Sequence, residues 1–262
     1  MAQNTSERTA GCRYVLILRL IASCAQDDYN QRCEVKGAMT SRLHIVSYSS
    51  EPFRDREEAG RLLAQELSEY KGQKAVVLGI LRGGIVIADI IARELDADLD
   101  VVMAHKLRTP GHEELAMGSV SEDGKVFLNP HVLQDIPVPE SMIEKEKAAQ
   151  LAEIKRRSEI FRRVRSKISL KDRIVIVTDD GIATGATTQA TFWAVRLEQP
   201  KKLIAAIPVG PADNIKRLAR DVDEMICLRS PPQFYAVGQF FMRFNQVEDE
   251  DVLKILKEFQ QR

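Results

Sequence analysis

The chain lacks net charge: 38 Lys and Arg are matched by 38 Asp and Glu. No global field therefore draws it to nucleic acid, whose phosphate backbone selects basic surfaces. It also lacks a long apolar run. The segment RYVLILRLIAS (13–23) is interrupted by Arg19 and is too short to span a bilayer. Nor does it have the unbroken apolar centre of a secretion signal. Cysteine is scarce and uneven: Cys12, Cys24 and Cys33 fall at the start, and Cys227 stands alone in the remainder. There is no C-x-x-C and no Cys/His cluster with zinc spacing. A core holding one cysteine is not stapled by disulfides, which points to a reducing, cytoplasmic compartment. No internal repeat and no low-complexity linker occurs. What is left is a neutral globular protein whose 262 residues suffice for one sizeable α/β domain with appendages.

Residues 1–48 differ from the rest and are expected to be a disordered or non-native leader, with Met39 as an alternative start. The domain is expected over 49–262. Its first helix spans Phe53 to Tyr70, where Ala59, Leu62, Leu63 and Leu67 recur at helical spacing behind an Asp55/Glu58 cap. The continuous apolar run AVVLGI (75–80) is typical of a parallel strand buried on both faces. A helix from Ile85 to Leu95 and a strand over 100–105 follow. Residues 125–129 are expected in a hairpin, and 139–165 in a long helix capped by Ser141 and Glu144. Strands over 173–178, 202–209 and 224–228 then alternate with helices reaching Leu197 and spanning 211–220. Such alternation predicts a mainly parallel, twisted sheet with helices on both faces.

The stretch TDDGIATGATTQA (178–190) concentrates chemistry. It sets two acids, Asp179 and Asp180, at the carboxyl end of a buried strand, where open parallel sheets bind ligands. Gly181, Ala183, Thr184, Gly185, Ala186, Thr187 and Thr188 follow. Small residues let backbone N–H groups approach an anion, and the next helix adds its positive end. The carboxylates have the opposite use, accepting hydrogen bonds from neighbouring hydroxyls. Together they suit the two halves of a ribose phosphate. A tight turn with capping threonines is the plain alternative. Neither a Walker A loop nor G-x-G-x-x-G is present.

The strand, paired acids and ATGATT loop resemble the phosphoribosyl pyrophosphate (PRPP) signature of the type I phosphoribosyltransferases, and the likeness extends over roughly residues 53 to 247. The resemblance implies the fold of that family with a C-terminal hood. It implies that Asp179 and Asp180 hold the ribose hydroxyls and that Ala183 to Thr187, with Thr188 adjoining, cradle the 5′-phosphate. LRGG (81–84) stands where the family has its pyrophosphate loop, giving roles to Arg82, Gly83 and Gly84. KLRTPGHEELAMG (106–118) matches its mobile loop, in which Lys106 and Arg108 would meet pyrophosphate and His112, Glu113 or Glu114 the base or a cation. SPPQFYAVGQFFMRFNQ (230–246) looks like the hood of purine enzymes. There Phe234 or Tyr235 would stack on the base, with Val237 and Gly238 lining the pocket, although a packed flap of aromatics accounts for the same residues.

The implied reaction passes a 5-phosphoribosyl group from PRPP to a nitrogenous base, a purine by preference, and releases pyrophosphate. Arg82 and Lys106 would stabilise the leaving group and Asp179 and Asp180 would orient the ribose. Mg²⁺ would be held by the substrate rather than by a protein cage. The partners implied are PRPP and a small base, without nucleic acid or membrane; a homodimer stays open. The pattern departs from the 6-oxopurine enzymes at Ala183, where they carry an acid, and at Gln239 to Met242, where they have a hood acid. Two other readings stand beside the enzyme: a PRPP- or nucleotide-sensing protein without turnover, and a subunit using the fold for assembly. The basic residues Lys155, Arg156, Arg157, Arg162, Arg163 and Arg165 are expected to form a solvated helix face.

Overall fold

The computed structural model describes residues 42–261. In chain order the elements begin β1 (Arg42–Ser47), α1 (Arg56–Glu66), β2 (Val76–Ile80), α2 (Gly84–Leu95) and β3 (Asp98–Val102). There follow β4 (Ala104–Thr109), β5 (His112–Ser121), β6 (Val126–Leu128), α3 (Pro130–Asp135) and α4 (Glu140–Phe161). Next come β7 (Ile174–Thr178), α5 (Ala186–Arg196), β8 (Lys202–Val209), α6 (Ala212–Leu218), β9 (Glu224–Arg229) and α7 (Asp249–Gln260).

Six of the strands pair in parallel in the order β1-β9-β8-β7-β2-β3. The apolar runs explain why. Every residue of β2 is buried, because alternate side chains serve two different cores. Val77 and Ile176 pack with Leu63 of α1, Ile85 and Ile87 of α2 and Val252 of α7. Val76, Leu78, Val175 and Val177 pack on the other face with Phe192 of α5 and Ile215 of α6. Helices on both faces of a parallel sheet are as the sequence predicts. From β2 the chain steps outward to β3, whereas from β7 it steps the other way to β8. The carboxyl ends of β2 and β7 therefore flank a topological switch point, where sheets of this kind open a crevice.

Three expectations are corrected. Residues 42–48 are not leader: β1 is the edge strand of the sheet, in register with β9 from Arg42↔Glu224 to Ser47↔Arg229. The remaining leader positions, Met39 among them, lie outside the described residues. The segment 106–118 is a β-hairpin: β4 and β5 pair antiparallel around a turn at Gly111, φ 76°, and β6 adds a third strand. This small sheet leans on α5 through Phe127 and Trp193, whose ring centroids are 4.7 Å apart. The long helix starts at Glu140 behind Pro139 with no side-chain cap, so Ser141 lies inside it. Asp55, by contrast, caps α1 as predicted, its carboxylate accepting from Glu58 N at 2.9 Å.

The basic helix face is only partly solvated. Arg162 donates to Asp100 Oδ1 at 2.6 Å and to Glu122 Oε2 at 2.8 Å, and Ser158 Oγ donates to Glu122 Oε1 at 2.6 Å. Asp100 is buried, and its second oxygen accepts from Ile168 N. Arg162 is thus an internal strut joining α4 to β3 and β5. Burial would lift Glu122, but its bonds from Arg162 and Ser158 hold it below the usual carboxylate value.

Candidate active site

Two loops meet at the switch point. The first, Leu81–Gly84, leaves β2, and its Leu81–Arg82 peptide is cis. The second, Asp179–Gly185, leaves β7. Gly83 is the place where they touch: a Cβ there would stand 1.9 Å from Asp180 Oδ2. A side chain at 83 would displace the carboxylate, so glycine is the residue that allows the contact. Gly84 backs onto Thr178 O and the Asp179 backbone in the same way. Sequence reasoning assigned these segments separately, and the fold brings them together.

Asp179 and Asp180 differ in surroundings. Asp179 Oδ1 accepts from Asp180 N at 2.9 Å. Its pKa is raised well above the ordinary 3.8, first by burial and then by the adjacent charge of Asp180, against the pull of Arg56. Asp180 instead has a guanidinium partner. Arg56 of α1 donates to Asp180 Oδ2 from Nε at 3.1 Å and from Nη2 at 2.8 Å.

Beyond the acids, Gly185 takes φ 78° and opens α5, a left-handed turn that suits glycine. Arg217 of α6 donates to Thr184 O at 2.8 Å and Asn214 to Ala183 O at 2.5 Å. These bonds tie two loop carbonyls to α6 and set the way the loop faces. Ala183, Thr184 and Thr187 are exposed, while Gly185, Ala186 and Thr188 are buried beneath them. The exposed surface stands at the N-terminus of α5, where partial positive charge favours an anion.

Lys106 reaches the same region. A cavity of about 240 Å³ is bounded by Leu81, Lys106, Arg108, Arg157 and Thr187, with His105 and Gln150 beside them. It joins the ends of both loops to the hairpin. His105 Nδ1 lies 2.9 Å from Gln150 Oε1, and burial holds the imidazole below its ordinary pKa, so it is neutral at pH 7. His112 and Glu113 are exposed in β5, which also contains Glu114. Arg82 is engaged within the protein. Its guanidinium is paired with Glu248 and stands 3.9 Å from Asp249, at the start of α7.

The hood closes the other side. Val237 packs on the acid loop so closely that a Cβ on Gly181 would lie 2.6 Å from its Cγ1. Phe234 is stacked on Phe240 at 5.1 Å and belongs to the packed flap. Tyr235 is 84% exposed and is the aromatic available to a ligand. Gly238 lies against the Phe244 ring. Arg56, Phe244, Asn245 and Glu248 carry contacts at this site that sequence reasoning missed. Only their partners distinguish them, and those partners are remote in the chain.

A profile of the phosphoribosyl transferase domain matches residues 56–241. The chain belongs to that family. Two sequences of Mycobacterium tuberculosis, from strains CDC 1551 and H37Rv, carry the provisional name of phosphoribosyl transferase. Each is 42% identical over 204 residues, covering 78% of this chain and 46% of its own length. This phosphoribosyl transferase domain thus spans about half the length of those relatives. The crystal structure of the protein TT1426 from Thermus thermophilus superposes with a TM-score of 0.75 at 41% identity, covering 79% of this chain and 99% of that one. Among the described residues no helix is long and apolar enough to cross a membrane.

Proposed function

We propose that this phosphoribosyl transferase domain passes the 5-phosphoribosyl group of PRPP to a ring nitrogen of a base, a purine by preference, and releases pyrophosphate. The observation that carries the reading is the contact of Gly83 with Asp180, which joins an acid pair and an anion-facing loop in one crevice. Asp179 and Asp180 orient the ribose hydroxyls. The exposed face of Ala183, Thr184 and Thr187, backed by Gly185, Ala186 and Thr188, receives the 5′-phosphate. Gly83, Gly84 and Lys106 border the pyrophosphate, and Arg82 joins them on leaving Glu248. Tyr235 stacks on the base beside Val237 and Gly238.

The leaving group is a polyanion, and Mg²⁺ held by the substrate rather than by a protein cage would offset its charge. The protein's own contribution is positioning, together with cationic and N–H groups set where pyrophosphate gains charge. The hairpin and hood exclude water, which would otherwise capture the electron-poor ribosyl carbon. A cytoplasmic setting agrees with this use of phosphorylated substrates.

One observation favours a second reading, a protein that binds PRPP without turnover: Arg82 is engaged by Glu248 and Asp249. The two separate in one assay. Pyrophosphate release from PRPP and Mg²⁺ is measured with purines, pyrimidines and small amines as acceptors. Release with one acceptor, abolished by the pair Asp179→Asn and Asp180→Asn, is the expected result. PRPP binding without release for any acceptor establishes the sensor. No binding at all removes both readings.

A further inference from the structure

The hood touches the acid loop at two places. One is the packing of Val237 on Gly181. The other runs through Arg56, which is 8% exposed although it carries a full charge. Both of its bonds to Asp180 end on Oδ2, the oxygen also held against Gly83. A carboxylate fixed by one oxygen presents the other, Oδ1, in a single direction. The third arm of the guanidinium, Nη1, donates to Asn245 O at 2.8 Å. Its flat face lies 3.9 Å from the centroid of the Phe244 ring. Phe244 in turn stacks on Phe241 at 5.1 Å and adjoins Gly238. A cation so placed holds three groups through one rigid plane: an acid, a backbone carbonyl and an aromatic ring.

We propose that Arg56 is a positioning residue, which aims Asp180 and couples its carboxylate to the hood. This rests on the assignment of Asp180 to the ribose. Hood residues 237–245 and the acid cannot then move independently. A ligand that orders one end makes the other more favourable to bind, because the guanidinium is already immobilised. Lysine at this position supplies the charge without the plane. Glutamine supplies a small planar amide without the charge or the three donor arms.

The test uses the full chain with Arg56→Gln and Arg56→Lys. PRPP affinity is measured by calorimetry from pH 5 to 8, beside a thermal melt of each variant. Arg56→Gln is expected to weaken PRPP binding by about tenfold to a hundredfold. The pH below which binding fails should also rise, since Arg56 opposes the upward shift of Asp179. Arg56→Lys is expected to keep the wild-type pH profile while recovering only part of the affinity. Wild-type affinity and pH profile in a folded Arg56→Gln chain would overturn the proposal.

A second readout needs no ligand. Carboxyl NMR titration of Asp179 and amide exchange over residues 237–248 are compared between wild type and Arg56→Gln. A higher Asp179 midpoint with faster exchange supports the coupling, and no change in either refutes it. If wild-type protein binds no PRPP, the ribose assignment fails, and these ligand-free measurements still decide whether Arg56 holds the acid and the hood together.

Discussion

Adjacent carboxylates at one strand end stand in different surroundings. Asp179 is lifted by burial and by Asp180, whereas Asp180 is met by Arg56. A raised carboxyl pKa favours the folded state while the group is protonated, and that contribution is lost as pH rises from 3.8 through the raised value. Asp179→Asn is therefore expected to raise Tm at pH 7, with the gain disappearing below about pH 4. The bond from Asp180 N survives, since the amide oxygen still accepts it. Asp180→Asn should do the reverse and destabilise by about 2 kcal/mol, because Arg56 keeps a buried charge without its anion. Thermal melts of both variants at pH 4 and pH 7 check the two signs. Both acids were legible from their place after Ile174–Val177. Arg56 was not, since the sequence marks it as one charge among many and its partner lies 124 positions away.

Elements were read well where one period dominates. The runs at 75–80 and 173–178 gave the buried strands, and Asp55 gave the start of α1. The hairpin over 104–121 was harder, because Pro110 and Gly111 sit within a polar stretch whose strand pairing is irregular around Arg108. Strand β1 was missed for a similar reason: its residues are largely exposed or half-buried at a sheet edge, so no apolar alternation announces them. A chain beginning at Ser49 is expected to melt ~5 °C or more below one beginning at Met39; equal melting would show that β1 adds nothing to the sheet. The charges of α4 misled in the other direction. Arg162→Met leaves Asp100 and Glu122 without their shared cation and should destabilise by about 3–5 kcal/mol. A surface arginine on the same helix, Arg156, is the control, expected to leave the melting temperature nearly unchanged.

For the molecule as a whole, the sheet order was beyond reach of the sequence. Periodicity states that strands exist and are buried, but it carries no information on which lie side by side. That order places β1 beside β9, pairing Arg42 with Glu224 across 182 positions of chain. The central strands β2, β7 and β8 each meet a first neighbour far sooner, in the pairs Val76↔Asp98, Ile174↔Lys202 and Ile204↔Glu224. At about 5–20 residues per second of synthesis, β1 stays unpaired for roughly ten to forty seconds after it is made. Through that interval Leu43, Val46 and Tyr48, still partly exposed in the finished fold, have no sheet to rest against. The hood follows β9 directly, so the same stretch of nascent chain that seals the sheet edge also delivers the roof of the crevice. On the ribosome, completing the scaffold and enclosing the site become a single late event.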